Sequence, residues 1–278
     1  MKKLLAIAAT ALALGLTPLV GLQASPADDL AAFQDYFKKK FPNTAFEDYK
    51  NGVYAVDEAS REQWEEMEEF PPYELAIDDG EKLWGKKFAN GKSYADCLGK
   101  DVSAIRVKYP YYDDKTDDIV TLEGAINKCR TDNGEKPLKW KKGKLAKLSA
   151  YIAYQGRGQK IDVKIPNEKA EAWYNKGKHF FYAKRGQLNM ACADCHVYYS
   201  GQKIRADILS PALGHTTHFP VYRSKWGNLG TMHRRYAGCN KQVRAKPFKA
   251  QSKEYKALEY FEAYMGNGLE LNGPGSRK

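Results

Sequence analysis

The sequence predicts a mainly α chain folded as two small helical domains, and three observations carry that prediction. Apolar residues recur at three- and four-residue spacing in several separate segments, the mark of helices that bury one face. The stretch Gly177-Lys178-His179-Phe180 leading to Cys192-Ala193-Asp194-Cys195-His196 has an earlier echo, Gly85-Lys86-Lys87-Phe88 leading to Tyr94-Ala95-Asp96-Cys97-Leu98. Between them, Gly156-Arg157-Gly158-Gln159-Lys160 through Pro166-Asn167 is polar and rich in breakers, which places a boundary near residue 160. A length of 278 residues suits two domains of about 100 to 150 residues, and 43% hydrophobic content supports a buried core.

Residues 1–27 read as an export signal. Lys2 and Lys3 form the positive start, Leu4 to Leu16 the apolar run, and Ala24 or Ala27 the small residue before the cut. That run is too short to span a bilayer, and no later segment is apolar for long enough, so a soluble periplasmic protein with no membrane span is expected. Loss of this segment removes two lysines and no acids, taking the formal charge from +11 to +9. No helix-turn-helix, RNA-binding or zinc-finger pattern accompanies the surplus, so acidic proteins or small anions are the expected partners, not nucleic acid.

The first domain, 28–160, opens with Leu30, Phe33, Tyr36 and Phe37 at helical spacing, stopped at Pro42. A second helix is expected from Ser60, which has capping-box spacing to Gln63, until just before Pro71-Pro72. A third pattern carries Ile119, Leu122 and Ile126 and ends at Cys129, and a fourth runs from about Lys144 to Tyr154 with Leu145, Leu148 and Ile152 on one face. The second domain, 161–278, begins with a helix from about Glu168 to Arg185 bearing Trp173, Gly177 and Phe180/Phe181. Its glycine admits a close partner, expected to be Tyr255-Leu258-Phe261-Met265, which ends at Gly266.

Cys192-Ala193-Asp194-Cys195-His196 is a c-type haem attachment signature. Two thiols one turn apart form thioethers to the haem vinyl groups, and the adjacent imidazole reaches the iron. A zinc half-site would need a second closely spaced CxxC or HxxxH pair, and none is present. The 19 tyrosines and 5 tryptophans suit the aromatic covering that a large flat cofactor requires. Together with its flanking helices the motif outlines a cytochrome c domain holding one covalently bound haem c. In the echo, Tyr94 replaces the first thiol and Leu98 the imidazole, which predicts a cytochrome c-like domain without haem. Cys97 then needs another fate. A Cys97–Cys129 disulfide is expected, closing a loop of about 30 residues and stabilising that half by roughly 3 to 4 kcal/mol on the chain-entropy model.

The iron's second axial ligand has several candidates: Cys239, Met190, Met232, Met265, His179, His215, His218 and His233. Thiol arithmetic favours Cys239, because two cysteines carry the haem and two pair in the first half. A methionine would raise the potential and suit plain electron transfer, whereas a thiolate lowers it and sets a sulfur nucleophile on a redox centre. Arg234 and Arg235 stand just before Cys239, where guanidinium groups favour a thiolate and attract oxyanions, or pair with haem propionates.

The run Tyr222-Arg223, Trp226-Gly227-Asn228-Leu229-Gly230-Thr231-Met232-His233-Arg234-Arg235-Tyr236, Cys239, then Val243-Arg244-Ala245-Lys246-Pro247-Phe248 and Leu258-Glu259-Tyr260, resembles the SoxA subunit family of the SoxAX cytochromes of bacterial sulfur oxidation. The resemblance covers essentially the whole mature chain, and Tyr94 and Leu98 align it with the one-haem members. It implies an L-cysteine S-thiosulfotransferase that joins thiosulfate to a cysteine of the carrier SoxYZ, with electrons passing through haem to the monohaem cytochrome SoxX and a soluble cytochrome c. It also implies that Cys239 ligates the iron and carries an extra sulfur as a persulfide, that Arg235 assists it, and that a small third subunit can join the heterodimer. The rival reading is a plain periplasmic c-type electron carrier with Met232 or a histidine on the iron. A haem peroxidase or gas sensor would want an open distal position, which nearby Cys239, Met232 and His233 oppose. Basic residues around Lys225 and Lys241, with the haem edge, are the expected docking surface for SoxX.

Overall fold

The computed structural model describes residues 24–277, so nearly all of the expected export segment lies outside the described residues. The first helix, α1 (Pro26–Lys40), is set by a capping box in which the Ser25 hydroxyl accepts the Asp28 N–H while the Asp28 carboxylate accepts the Ser25 N–H. Phe33 and Phe37 face inward and three lysines close its last turn, where the helix dipole favours positive charge. After turns over 46–55 comes α2 (Glu58–Glu69), capped by Asp57, whose carboxylate accepts the Ser60 N–H at 2.8 Å. The expected cap at Ser60 is therefore wrong by one turn, because Asp57 starts the helix three residues earlier and accepts the N–H of Ser60 itself.

Each half is then built on a pair of helices that cross at a glycine. In the first, α3 (Glu74–Gly85) packs on α6 (Lys144–Gln155), and a Cβ on Gly80 would sit 2.3 Å from the Lys147 carbonyl oxygen. In the second, α7 (Glu168–Tyr182) packs on α9 (Lys253–Met265), and a Cβ on Gly177 would sit 2.1 Å from the Ala257 carbonyl oxygen. Gly80, not Gly85, is thus the counterpart of Gly177; nothing lies within 4 Å of a Cβ on Gly85. Between the crossing helices lie the short α4 (Tyr94–Leu98) and α5 (Leu122–Asp132) in the first half and α8 (Met232–Gln242) in the second.

The repeat extends to the loops. Pro110 and Pro220 follow cis bonds, Leu122 and Met232 open matching helices, and Gly156 and Gly266 close matching helices, each pair 110 residues apart. Each proline leads into an antiparallel hairpin, β1–β2 (Tyr111–Asp113, Asp118–Val120) in the first half and β5–β6 (Val221–Arg223, Asn228–Gly230) in the second. The pair β3–β4 (Lys203–Ile204, Asp207–Ile208) occurs only in the second half, and β7 (Gly275–Arg277) adds to β5 in parallel.

The two hairpins are exchanged. Tyr112 and Ile119 of the first bury themselves with Trp173, Tyr174 and Phe261 of the second half, and Lys256 of α9 pairs with Asp118. Leu229 of the second hairpin packs on Ala146 and Ala150 of α6. Ile119 is therefore a strand residue rather than the start of the expected helix. Phe33, Phe37 and Tyr49 also pack into the second half's core, because apolar surface on α7 and α9 draws the chain's opening segment across, while Phe88, Tyr94, Ile105, Ile126, Leu148 and Ile152 form a separate core in the first half.

In the first half, Cys97 and Cys129 are bonded with their Cα atoms 5.7 Å apart, joining α4 to α5. Tyr94 fills the centre, with Phe88 edge-on at 4.9 Å and its hydroxyl accepting from Arg130 at 2.9 Å, and Leu98 is buried beside it. Side chains thus occupy the middle of this half. No helix among the described residues is long and apolar enough to cross a membrane.

Candidate functional site

The Ala-Asp-Cys core common to both halves is a capping device. Asp194 accepts the Ala191 N–H at 2.7 Å, as Asp96 accepts the Ser93 N–H at 2.6 Å, and each carboxylate starts the turn that presents the following cysteine. In the second half that turn, Asp194–Tyr198, is wound as a π-helix, and its Cys195 and His196, with Cys192 just before it, line a cavity of about 540 Å³. The volume lies within the roughly 300 to 1,000 Å³ of ordinary ligand sites. Burial pushes the Cys192 and Cys195 thiols up, so they enter the site as neutral sulfurs.

His196 Nδ1 lies 2.9 Å from the Ser210 carbonyl oxygen. A carbonyl only accepts, so Nδ1 carries the proton and Nε2 keeps its lone pair. Burial lowers the ring's proton affinity and favours the neutral form that ligates metal. One neutral imidazole, two adjacent thiols and a roomy cavity bordered by Phe219, Leu258 and Tyr236 fit a haem c, with Cys192 and Cys195 to bond it and His196 to ligate its iron.

The candidates for the second ligand separate clearly. His179 is exposed on α7, and Met265 opens into a different groove, beside Asp29 and Tyr198. His233 faces Glu259 at 3.1 Å and Gln251, away from the cavity. His215 is tied to Glu262 at 2.9 Å and to the His196 ring itself. Cys239, Met232, Met190 and His218 line the cavity, as does His215 in spite of those bonds. Cys239 projects half-buried from α8, one turn after Arg235, which lines the same wall.

Arg234 does not join them. Its guanidinium lies 4.1 Å over the Trp226 ring and donates to Asn228 Oδ1 and the Leu229 carbonyl, because successive residues of a helix cannot share a face. The arginine that sequence reasoning overlooked is Arg223 on β5. It lines the cavity, and burial and Arg235 hold it down at about 10, with Asp207 and Cys239 as the groups of opposite sign. Strand alternation puts Arg223 on the same face as Val221, but a three-residue strand leaves too short a pattern to detect. Arg277 also borders the cavity, yet it is committed to the Asn51 and Ser276 carbonyls and stacks on Tyr54. Lys241 stands at the cavity edge, while Lys225 is exposed on the turn between β5 and β6.

The family model for the SoxA/TsdA cytochrome c domain matches residues 79–161, the half that lacks the haem signature. The chain is 59% identical over 259 residues to the L-cysteine S-thiosulfotransferase subunit SoxA of Chlorobaculum tepidum, covering 93% of this chain and 90% of that one. Its identity to the subunit of the same name from Allochromatium vinosum is 57% over 257 residues, covering 92% and 91%. Among solved structures, SoxXA from P. pantotrophus matches with a TM-score of 0.72 at 32% identity, over 78% of this chain and 84% of that chain. With near-complete coverage at this identity, and a haem-attachment motif, cysteine and arginine converging on one cavity, the chain belongs to the SoxA family of L-cysteine S-thiosulfotransferase subunits.

Proposed function

We propose that this chain catalyses the oxidative joining of thiosulfate to a cysteine thiol of the carrier protein SoxYZ. In balance, a carrier thiol and thiosulfate give a carrier S-thiosulfonate, one proton and two electrons. The observation that carries the reading is the convergence of Cys239, Arg235 and Arg223 in the cavity that also receives Cys192, Cys195 and His196.

Arg223 and Arg235 bind the thiosulfate dianion, each able to offer paired N–H donors to its oxygens. The dianion is thereby held with its outer sulfur toward Cys239 Sγ. Loss of two electrons joins those two sulfurs, leaving Cys239 as a thiosulfonate. The carrier thiolate then attacks the bridging sulfur, takes the S–SO₃ group and releases the Cys239 thiolate, an ordinary thiol exchange. When bound, haem c supplies the one-electron centre through which these electrons leave for SoxX and a soluble cytochrome c. Cys239, returned as the thiolate, is also the ligand we assign to the iron when haem c is bound.

The same reading gives the chain one haem, since Tyr94 and Leu98 fill the corresponding place in the first half. It sets the protein in the periplasm as a heterodimer with SoxX, open to a small third subunit, with docking near the haem edge, Lys225 and Lys241. Cleavage after Ala24 would leave Ser25 in place to cap α1.

The test is thiosulfate-dependent electron release by the purified complex supplied with carrier protein, comparing the unmodified chain with Cys239→Ala at matched haem content. Turnover should vanish while haem stays bound. Unchanged turnover would remove Cys239 from the mechanism, and no turnover by either form of an intact complex would identify a plain electron carrier.

A further inference from the structure

On the side of His196 away from its free Nε2, three polar side chains fill a buried strip that the sulfur chemistry does not use. His196 Nδ1 lies 3.2 Å from His215 Nε2, His215 Nδ1 lies 2.9 Å from Glu262 Oε1, and the other Glu262 oxygen accepts from the Tyr236 hydroxyl. The two imidazoles meet edge-on, with centroids 4.4 Å apart and planes at 82°. Glu262 is 4% exposed and the His215 side chain 14%.

The donors and acceptors resolve in one direction. Both Glu262 oxygens accept, so His215 donates through Nδ1 and is left with a lone pair on Nε2. That lone pair meets the proton on His196 Nδ1, which Ser210 O also accepts. The hydrogen bonds therefore run from His196 through His215 to a buried carboxylate.

The internal repeat supplies an independent control. The residues 110 positions earlier are Ile105, Ile126 and Ile152, all fully buried and packed in one cluster. The half whose centre is filled by side chains closes this strip with three isoleucines, and the half with the haem signature places His215, Tyr236 and Glu262 there. Burying polar groups where isoleucines pack costs stability unless they are hydrogen-bonded, and these three are bonded to one another and to His196.

Resting on the haem reading of Cys192–His196, we propose that Glu262 and His215 are positioning residues for the iron ligand: they fix the His196 ring and lend it negative charge, lowering the reduction potential of the bound haem c. A carboxylate hydrogen-bonded through to a ligating imidazole makes that imidazole a stronger donor, which stabilises the oxidised metal.

The experiment is potentiometric titration, with electron paramagnetic resonance of the oxidised iron, on the haem-loaded complex carrying Glu262→Gln, His215→Gln or both. Gln keeps the shape of Glu262 without its charge, and Ser210 still orients His196, so haem content should be unchanged. Each variant should shift the potential upward and alter the resonance spectrum, and the double variant should shift it no further than the larger single one, since both cut one chain. Unchanged potential and spectrum with haem bound, or additive shifts, would overturn the proposal; should Glu262→Gln fail to fold, His215→Gln decides alone. Absence of covalent haem from the unmodified chain would instead refute the haem reading on which the proposal rests.

Discussion

Replacing Gly177 with alanine tests whether the second half depends on the closeness of α7 and α9. The added Cβ would meet the Ala257 carbonyl oxygen at 2.1 Å and Phe261 Cβ at 2.7 Å. Neither obstacle can swing aside, because one is backbone and the other is the root of a fully buried ring. The helices must part by about 1 Å along a seam that also holds Trp173, Tyr255 and Leu258, and overpacking of this kind costs typically 1 to 3 kcal/mol. Alanine recovers up to about 1 kcal/mol of helix propensity, so the net loss should be roughly 1 to 2 kcal/mol. For a chain of this size that lowers the melting temperature by about 2 to 8 °C. Gly80→Ala should behave alike, since its Cβ meets the Lys147 oxygen at 2.3 Å, whereas Gly85→Ala, with open space around it, should be neutral or slightly stabilising. Thermal unfolding of the three variants, followed by circular dichroism at equal haem content, gives the ranking. If Gly177→Ala matched the unmodified chain, or Gly85→Ala were the most damaging, the crossing geometry described above would be wrong.

Three further outcomes follow from the same structure. Cys97→Ala with Cys129→Ala removes a cross-link between residues 32 apart, which on the chain-entropy model costs about 4 kcal/mol; denaturant unfolding should show that loss while the haem spectrum stays put. Arg223→Gln should lower kcat/KM for thiosulfate about 10- to 100-fold, the worth of a charge-assisted hydrogen bond of roughly 1.5 to 3 kcal/mol, with the haem spectrum unchanged; a changed spectrum with unchanged kinetics would assign Arg223 to the propionates instead. Burial, then Arg277, holds His218 well below the ordinary histidine range, so the unfolded chain binds a proton there that the folded chain refuses. That contribution to stability is intact above about pH 6.5 and is lost below it by up to roughly 1.4 kcal/mol per pH unit, and unfolding between pH 7 and 5 should lose that slope in His218→Gln.

What was legible in the sequence was local or covalent. The haem signature states its chemistry in five consecutive residues, and α1, α6, α7 and α9 carry apolar faces at helical spacing with clear breakers after them. Misreadings arose where tertiary structure overrides local pattern. Ile119 continues a helical spacing yet lies in a hairpin that crosses to the other half, and Gly85 has the flanking residues of Gly177 without its close neighbour. Arg223 sits on a three-residue strand too short to show its face, and Glu262 answers to His215, 47 residues earlier, so no helical window contains its reason for being polar.

One signal could have reached further. The Ala-Asp-Cys echo pairs Cys97 with Cys195, 98 residues apart, whereas the hairpins and later helices match at 110, because the second half inserts the β3–β4 turn after its cysteine motif. Comparison at the second offset sets Cys129 against Cys239 and three isoleucines against His215, Tyr236 and Glu262. A thiol at this place on α5 or α8 is directed at the cysteine-bearing turn whichever half it occupies. In the first half, with Tyr94 and Leu98 filling the centre, it reaches Cys97 and closes a disulfide; in the second the cavity lies at that place, and the same position leaves Cys239 half-buried and unbonded in the cavity that His196 also lines. The structural cross-link and the free thiol are therefore one position in one fold, separated by whether side chains or a cavity occupy its centre.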